Sequence, residues 1–199
     1  MTQIRQKLKK IDKKMIMRGS AICAMIGVYV YLGTALIMQH SIEDIYSHLA
    51  YDQPMPTGID PVLKEKVDMM VAGHPMEEMT RFIAKEDPQV AAFLVGIAKK
   101  ESNWGKRSPK LNGEDCFNYW GFRQKRERMG SGGHTCFDSP KEAVEVVGER
   151  IAILIEKEQI TSPREMVVWK CGYSCAGHDP ASVDKWVRDV DLYYQPIYH

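Results

Sequence analysis

The segment that decides the fold spans residues 88–105 and reads PQVAAFLVGIAKKESNWG. Asp87 comes directly before Pro88, and a capping residue followed by proline is typical of a helix start. Five apolar residues lie three, four, seven, eight and eleven positions before Glu101 and share a helical face with it: Ala98, Ile97, Leu94, Phe93 and Val90. We therefore predict a helix that ends near Gly105, with Glu101 on its buried face in the last turn.

This predicted position would give Glu101 a distinct chemistry. Apolar neighbours would desolvate its carboxylate and the negative end of the helix dipole would repel it, so both effects disfavour the ionised form. A carboxyl that keeps its proton near neutral pH can protonate a glycosidic oxygen as a general acid. Periodicity alone also allows a last-turn glutamate whose side chain bends out to solvent.

The same helix-start pattern recurs along the chain. A capping residue precedes proline at Asp60, Ser139, Ser162 and Asp179. Ser139 and Ser162 are each followed three residues later by glutamate, which completes a capping box. Apolar residues behind the caps keep helical spacing on three further faces: Met76, Met79, Ile83; Ala143, Val147, Ile151, Leu154; and Val183, Trp186, Val187, Val190, Tyr194. The segment 106–138 fits an ordered loop with a small hairpin, so we predict an all-α chain of about six helices.

The N-terminal part of the chain predicts a membrane anchor. Residues 21–38 carry no charged side chain, and as a helix they would span about 27 Å, close to a ~30 Å hydrocarbon core. Residues 1–20 hold seven basic side chains and one acidic one, so the positive-inside rule keeps them in the cytoplasm and exports the rest. A cleaved signal peptide or a buried core helix is the alternative. We assign a basic tail, an anchor, a stalk and a globular domain to residues 1–20, 21–38, 39–60 and 61–199.

The charge and the cysteine content indicate which partners and which cellular compartment fit this chain. The net charge is +1, but residues 21–199 carry about −5, which argues against nucleic acid as the main partner. Outside the cytoplasm, an even set of four cysteines predicts disulfides. Three pairings are possible, and Cys116–Cys136 with Cys171–Cys175 is favoured because each closes a short loop that contains glycine. The alternative is a zinc site in which His134 and His178 join these cysteines; we predict no metal and no cofactor.

Two polar and aromatic motifs follow Glu101. The first reads SNWG at residues 102–105, and the second reads NYWGF at residues 118–122, between the two loop cysteines. Aromatic faces stack on sugar rings, while asparagine side chains and backbone amides bond to N-acetyl groups. We predict that a glycan contacts Ser102, Asn103, Trp104, Asn118, Tyr119, Trp120, Gly121 and Phe122. The alternative for the three large aromatics is ordinary core packing.

The string AKKESNWGK, followed about 15 residues later by NYWGF, resembles the bacterial glucosaminidase and lytic-transglycosylase branch of the lysozyme-like superfamily. In that branch a catalytic glutamate ends a buried helix in an E-[ST]-x-[WF]-G setting, and an N-x-[FW]-G motif lines the cleft. The resemblance covers roughly residues 85–195. The matching positions are Glu101, Ser102, Trp104 and Gly105, then Asn118, Trp120 and Gly121. The resemblance implies a lysozyme-like helical domain.

It also implies cleavage of the β-1,4 bonds between N-acetylmuramic acid and N-acetylglucosamine, with Glu101 as general acid. In a transglycosylase the same carboxylate later acts as base, while the muramyl 6-hydroxyl attacks to give an anhydro product. A hydrolase needs an N-acetyl group or a second carboxylate, for which Glu114, Asp115 and Asp138 are candidates. The G-L-M-Q signature of commoner transglycosylases is missing, which leaves the exact reaction open, with transglycosylase slightly favoured.

Together these features predict a membrane-anchored peptidoglycan glycosidase in the bacterial cell membrane. Its N-terminus would be cytoplasmic, its catalytic domain extracytoplasmic, and its partners the glycan strands and the membrane. A basic cluster in the loop is a candidate for attracting anionic wall polymers or stem-peptide carboxylates, unless it is simply solvated: Arg123, Lys125, Arg126 and Arg128. The alternatives to an enzyme are a non-catalytic glycan-binding module and a scaffold of a cell-envelope machine.

Overall fold

The computed structural model describes residues 28–34, 38 and 58–199. The predicted basic tail, and most of the predicted anchor and stalk, lie outside these residues, so those assignments stay predictions. Residues 28–34, which fall inside the predicted anchor, are helical. Within the part of the chain that the structure describes, no helix is long and apolar enough to cross a membrane.

Residues 58–199 are mostly helical, which confirms the predicted all-α class for this unit. Its six α-helices are α1 (Pro61–Val71), α2 (Thr80–Ile83), α3 (Pro88–Ser102), α4 (Pro140–Glu158), α5 (Val168–Cys171) and α6 (Pro180–Tyr198). Short 3-10 helices at Pro75–Met79, Ser131–Gly133 and Glu165–Val167 complete the helical part. The predicted small hairpin pairs β1 (Lys110–Leu111) with β2 (Glu114–Asp115) in antiparallel register.

Side-chain caps start four of the helices where they were predicted. The side chain before each first-turn proline accepts a backbone N–H at Asp60, Asp87, Ser139 and Asp179. The carboxylate of Glu142 accepts the N–H of Asp138 at 2.8 Å, one residue earlier than the predicted capping box requires. The fifth predicted start is wrong as an α-helix. There Glu165 accepts the N–H groups of Thr161 and Ser162, and a 3-10 helix follows.

Helix α3 lies at the centre of the core. Every residue from Val90 to Ala98 is buried, so the prediction of one buried face was too narrow. A helix that is buried all round must be surrounded by other elements. Helix α6 packs along it through a row of buried side chains, and the contact is closest at Gly96, where an added Cβ would lie 2.9 Å from the carbonyl oxygen of Val190.

Gly96→Ala tests this close packing. We expect the free energy of unfolding to fall by about 1–3 kcal/mol, because the added methyl group overpacks the α3–α6 contact. Urea denaturation of the protein measures it. Gly177→Ala is the matched control, since a Cβ there would meet nothing within 4 Å. Equal unfolding midpoints for Gly96→Ala and the wild type would contradict the packing.

Candidate functional site

The end of helix α3 is built by a left-handed turn. Helix α3 ends at Ser102, and Asn103 follows with φ of 55° as the C-cap. The N–H of Trp104 donates to the carbonyl of Ala98 at 3.1 Å, which satisfies one of the last helical carbonyls. The helix therefore ends three residues before Gly105, near which its end was predicted. Gly105 has a positive φ and no room for a side chain, because a Cβ would lie 2.7 Å from the ring of Tyr119.

Glu101 is exposed, so the prediction that apolar neighbours bury it is wrong. The reason is that full burial of α3 ends at Ala98 and its last turn emerges from the core. The carboxylate is nevertheless held in place. Its Oε1 accepts the indole N–H of Trp186, a buried residue of α6, at 2.8 Å. Its Oε2 faces Gly121, where an added Cβ would lie 3.5 Å away.

The carboxylate of Glu101 opens into a cavity of about 270 Å³. The walls come from the end of α3, from residues 107–109, from Asn118 with Gly121, and from the turn at residues 131–134. Of the residues in positions 58–199 that line this cavity, Glu101 is the one that carries a carboxylate. We call it the Glu101 cleft.

A second cavity, of about 220 Å³, meets the Glu101 cleft at Gly121, which lines both. Phe122 and Trp169 form part of its wall, and their rings stack with centroids 6.0 Å apart. The indole of Trp169 donates to the carbonyl of Trp120 at 3.0 Å, which fixes the ring in this position. Two of the predicted glycan contacts, Gly121 and Phe122, thus lie on open surface, and we call this cavity the aromatic cleft.

The three large aromatics of the predicted glycan surface lie in the core instead. Trp104, Tyr119 and Trp120 are at most 4% exposed. The two indole N–H groups donate to carbonyls of α3, at 2.9 and 2.8 Å, and the Tyr119 hydroxyl donates to Glu78 at 3.3 Å. Burial raises the pKa of Tyr119 well above its usual range. Their predicted contact with sugar is therefore wrong, and the alternative of core packing is correct.

The polar members of the two motifs stabilise the backbone around the cleft. The Asn118 amide donates to the carbonyl of Phe122 at 2.8 Å and accepts the N–H of the same residue at 3.0 Å. The Ser102 hydroxyl accepts the N–H of Gly105 at 2.9 Å. Both residues lie in the wall of the Glu101 cleft but are buried, while Asn103 lines a different cavity. Ser102 therefore stabilises the turn after α3, and Asn118 stabilises the loop at residues 118–122.

Three residues that line the cleft or bond to Glu101 were not predicted as site residues: Arg107, His134 and Trp186. Trp186 was assigned only to an apolar helical face, although a buried indole N–H needs an acceptor and was a usable signal. Arg107 and His134 lie in the segment 106–138, which has no periodicity from which their positions could be predicted. The Nδ1 of His134 lies 2.9 Å from the carbonyl oxygen of Ser131, so the local turn orients its ring.

None of the three predicted second carboxylates lines the Glu101 cleft. Asp115 bonds to Lys110 at 2.8 Å within the hairpin. Asp138 pairs with Arg128, and Glu114 is exposed in strand β2. Among the residues that the structure describes, Glu101 therefore has no second carboxylate across this cleft.

Most of the predicted basic cluster is neutralised or bonded internally. Arg126 pairs with Glu142 at the start of α4, and Arg128 pairs with Asp138. Arg123 donates to the carbonyl of Gly132 at 2.8 Å. These contacts shape the loop, and they weaken the prediction that the cluster attracts an anionic polymer.

The four loop cysteines form two disulfides, Cys116–Cys136 and Cys171–Cys175, which are the pairings that the loop lengths favoured. The alternative zinc site would need these cysteines as free thiolates. Across the described residues, no group of three or more histidine, cysteine, aspartate or glutamate side chains could hold a metal ion.

Removing the first disulfide should destabilise the whole domain. Cys116 and Cys136 are buried, and they close a loop of 20 residues that carries the core residues Tyr119 and Trp120. We expect Cys116→Ser with Cys136→Ser to cost about 3 kcal/mol of unfolding free energy, from the chain entropy of the opened loop. The shorter second loop should cost about 2 kcal/mol. Denaturant unfolding measures both, and the reverse order would contradict this role of the first disulfide.

Comparison of the chain with protein-family models, with curated proteins and with solved structures returned no match. The resemblance drawn from the sequence motifs therefore stays a prediction.

Proposed function

We propose that this protein is a peptidoglycan glycosidase with a lysozyme-like helical domain, in which Glu101 is the general acid. One observation carries the proposal: a lone carboxylate at the end of the central helix is held by Trp186 and opens into a cleft. A glycosidic bond between N-acetylmuramic acid and N-acetylglucosamine would lie across that cleft.

The two oxygens of Glu101 have different surroundings, and this supports the proposed chemistry. Because Oε1 accepts the Trp186 N–H, Oε2 is the oxygen that can face a ligand. A sugar that fills the cleft would exclude water from this oxygen. The proton would pass from the carboxyl to the leaving oxygen as the glycosidic bond breaks, and the indole N–H would stabilise the carboxylate that remains.

Since Glu101 is the one carboxylate that the described part of the chain contributes to the cleft, a lytic transglycosylase is favoured over a two-carboxylate hydrolase. After the first step, the muramyl 6-hydroxyl would attack the anomeric carbon and Glu101 would accept its proton. The products would be a 1,6-anhydromuramyl end and a free 4-hydroxyl on the departing sugar. This scheme uses a single protein carboxylate, which matches the residues that line the cleft.

The aromatic cleft supports glycan as the substrate class. Phe122 and Trp169 line this cleft and are partly exposed, and the exposed parts of such rings can pack on sugar rings. Arg123 and Arg150 on the same wall could bond to sugar hydroxyls. Because Gly121 joins the two cavities, a strand bound to the aromatic cleft would reach Glu101.

The proposed location of the domain is supported by its disulfides. Disulfides persist in oxidising compartments, so the two in this domain support an extracytoplasmic site. We propose that residues 21–38 anchor the protein in a bacterial cell membrane, with the N-terminus in the cytoplasm.

Glu101→Gln should abolish glycan cleavage and leave the fold intact. Loss of general-acid catalysis should slow product release from purified sacculi by about 100-fold or more. Because residue 101 is exposed, the unfolding free energy should change by less than about 0.5 kcal/mol. Mass spectrometry of the soluble products measures the first quantity and urea denaturation the second.

The same digestion separates the reaction types. Anhydro ends would support the transglycosylase, and reducing ends would support a hydrolase. Glu101→Gln with wild-type activity would contradict the proposed role of Glu101. Binding of sacculi by the wild type without any release, where a known lytic enzyme works, would support a glycan-binding module instead.

Trp186→Phe tests whether the indole positions the carboxylate. We expect roughly a tenfold loss of cleavage rate per folded molecule, because the carboxylate loses the bond that orients it. Trp120→Phe is the matched control, since it also removes a buried indole that donates at 2.8 Å, but to the carbonyl of Leu94. Equal losses of rate in the two folded variants would show that Trp186 has no specific positioning role.

A further inference from the structure

Beside the Glu101 cleft, on the outer side of the end of α3, lies a groove with an excess of positive charge. It encloses about 480 Å³ between the end of α3 and helix α6. Four cationic side chains and one carboxylate line it: Lys99, Lys100, Arg107, Lys185 and Asp189. We call it the cationic groove.

The single carboxylate is shared by two lysines. Lys100 and Lys185 both reach the same oxygen of Asp189, each at 2.6 Å. Desolvation tends to raise the pKa of Asp189, but the hydrogen bonds from the two lysines outweigh it and hold the pKa below its usual range. The single negative charge of Asp189 therefore neutralises only one of the two lysine charges. The remaining positive charge is available to a ligand.

Lys99 adds to this excess. Its ammonium lies 4.0 Å from the ring centroid of Trp104 and 5.2 Å from that of Tyr193, so aromatic faces hold it. Burial, with the nearby charges of Lys106 and Arg107, lowers its pKa. An anion bound in the groove would relieve this crowding of like charges. The loop cluster of Arg126 and Arg128 differs, because each of those arginines already pairs with a carboxylate.

Two features limit the kind of anion. Leu192, which is 66% exposed, and Tyr193 give the groove an apolar wall, which suits a peptide better than a phosphodiester polymer. Arg107 lines both the cationic groove and the Glu101 cleft, so the two sites are adjacent. A ligand that reaches from one to the other would be an anionic branch on the polymer in the cleft.

We infer that the cationic groove binds the carboxylates of the peptide that branches from the muramyl sugar, an inference that rests on the proposed function. Lys100 and Lys185 would hold the carboxylates, and Leu192 with Tyr193 would pack on the apolar parts of the peptide. Binding there would select glycan strands that still carry their peptides.

The test compares two glycan strands of equal length, one with its peptides and one stripped of them by an amidase. The full-length protein carries Glu101→Gln, so that neither strand is cut, and its affinity for each strand is measured by fluorescence anisotropy. We expect the peptide-bearing strand to bind roughly fivefold more tightly or better, as two partly exposed ion pairs allow. Lys100→Gln with Lys185→Gln should remove this preference.

Two further variants keep the test specific. Lys85→Gln with Lys157→Gln removes two exposed lysine charges elsewhere on the domain and should keep the preference. Asp189→Asn removes the competing carboxylate and should increase the preference. Equal affinity of the wild-type groove for both strands, or an unchanged preference after Lys100→Gln with Lys185→Gln, would overturn the inference.

Two added probes separate the sources of failure. The free peptide should compete for the groove, and its fully amidated form should not. A polyglycerol phosphate that competes as well as the peptide would overturn the inference in favour of a phosphate-bearing polymer. If the peptide binds in the cationic groove but the wild type does not cleave sacculi, the proposed glycosidase activity is contradicted and the peptide site is still supported.

Discussion

The close packing of helix α3 against helix α6 is the constraint on which the rest of the domain depends. Gly96 lets the two helices approach, and this brings Trp186 of α6 within 2.8 Å of Glu101 at the end of α3. The two residues are 85 positions apart in the chain. The same hydrogen bond satisfies a buried indole and fixes a carboxylate, so core packing and candidate chemistry meet at one contact.

The loop after α3 contributes to the core as much as to the site. Trp104 and Trp120 cover α3 and donate to the carbonyls of that helix, while Gly121, which follows Trp120, leaves the carboxylate of Glu101 open. The buried Cys116–Cys136 disulfide closes the same loop. The buried side chains thus give this irregular segment a fixed shape, although a glycan could not reach them. Gly121 and Phe122 are the residues of its second motif that face the aromatic cleft.

The sequence predicted the features that depend on local chemistry. Four of the five Asp-Pro or Ser-Pro pairs start an α-helix, because the capping side chain lies directly before the proline, so Asp60, Asp87 and Asp179 could be recognised without the rest of the fold. Glu101 could be placed near a helix end because Gly105 follows it four residues later, and glycine commonly lies just after the end of a helix. The exposure of Glu101 could not be predicted. It depends on how far α6 and the loop cover the last turn of α3, and a local sequence pattern does not contain that information.

The division of the aromatic residues between core and cleft could not be predicted either. In the sequence, Trp120 and Phe122 belong to the same motif and were equally good candidates for glycan contact. In the structure, Trp120 is buried while Phe122 lines the aromatic cleft. Trp169 gave no signal at all, because its role comes from stacking on Phe122 across a long separation. The cationic groove likewise combines residues of α3 and α6 that only the fold brings together.

The most direct measurement is a crystal structure of the Glu101→Gln protein with a bound N-acetylmuramic acid and N-acetylglucosamine tetrasaccharide. A general acid at this position predicts a glycosidic oxygen about 3 Å from the side chain of residue 101, with neighbouring sugars in the aromatic cleft. A tetrasaccharide bound away from Gly121, with the residue 101 side chain facing only solvent, would contradict it.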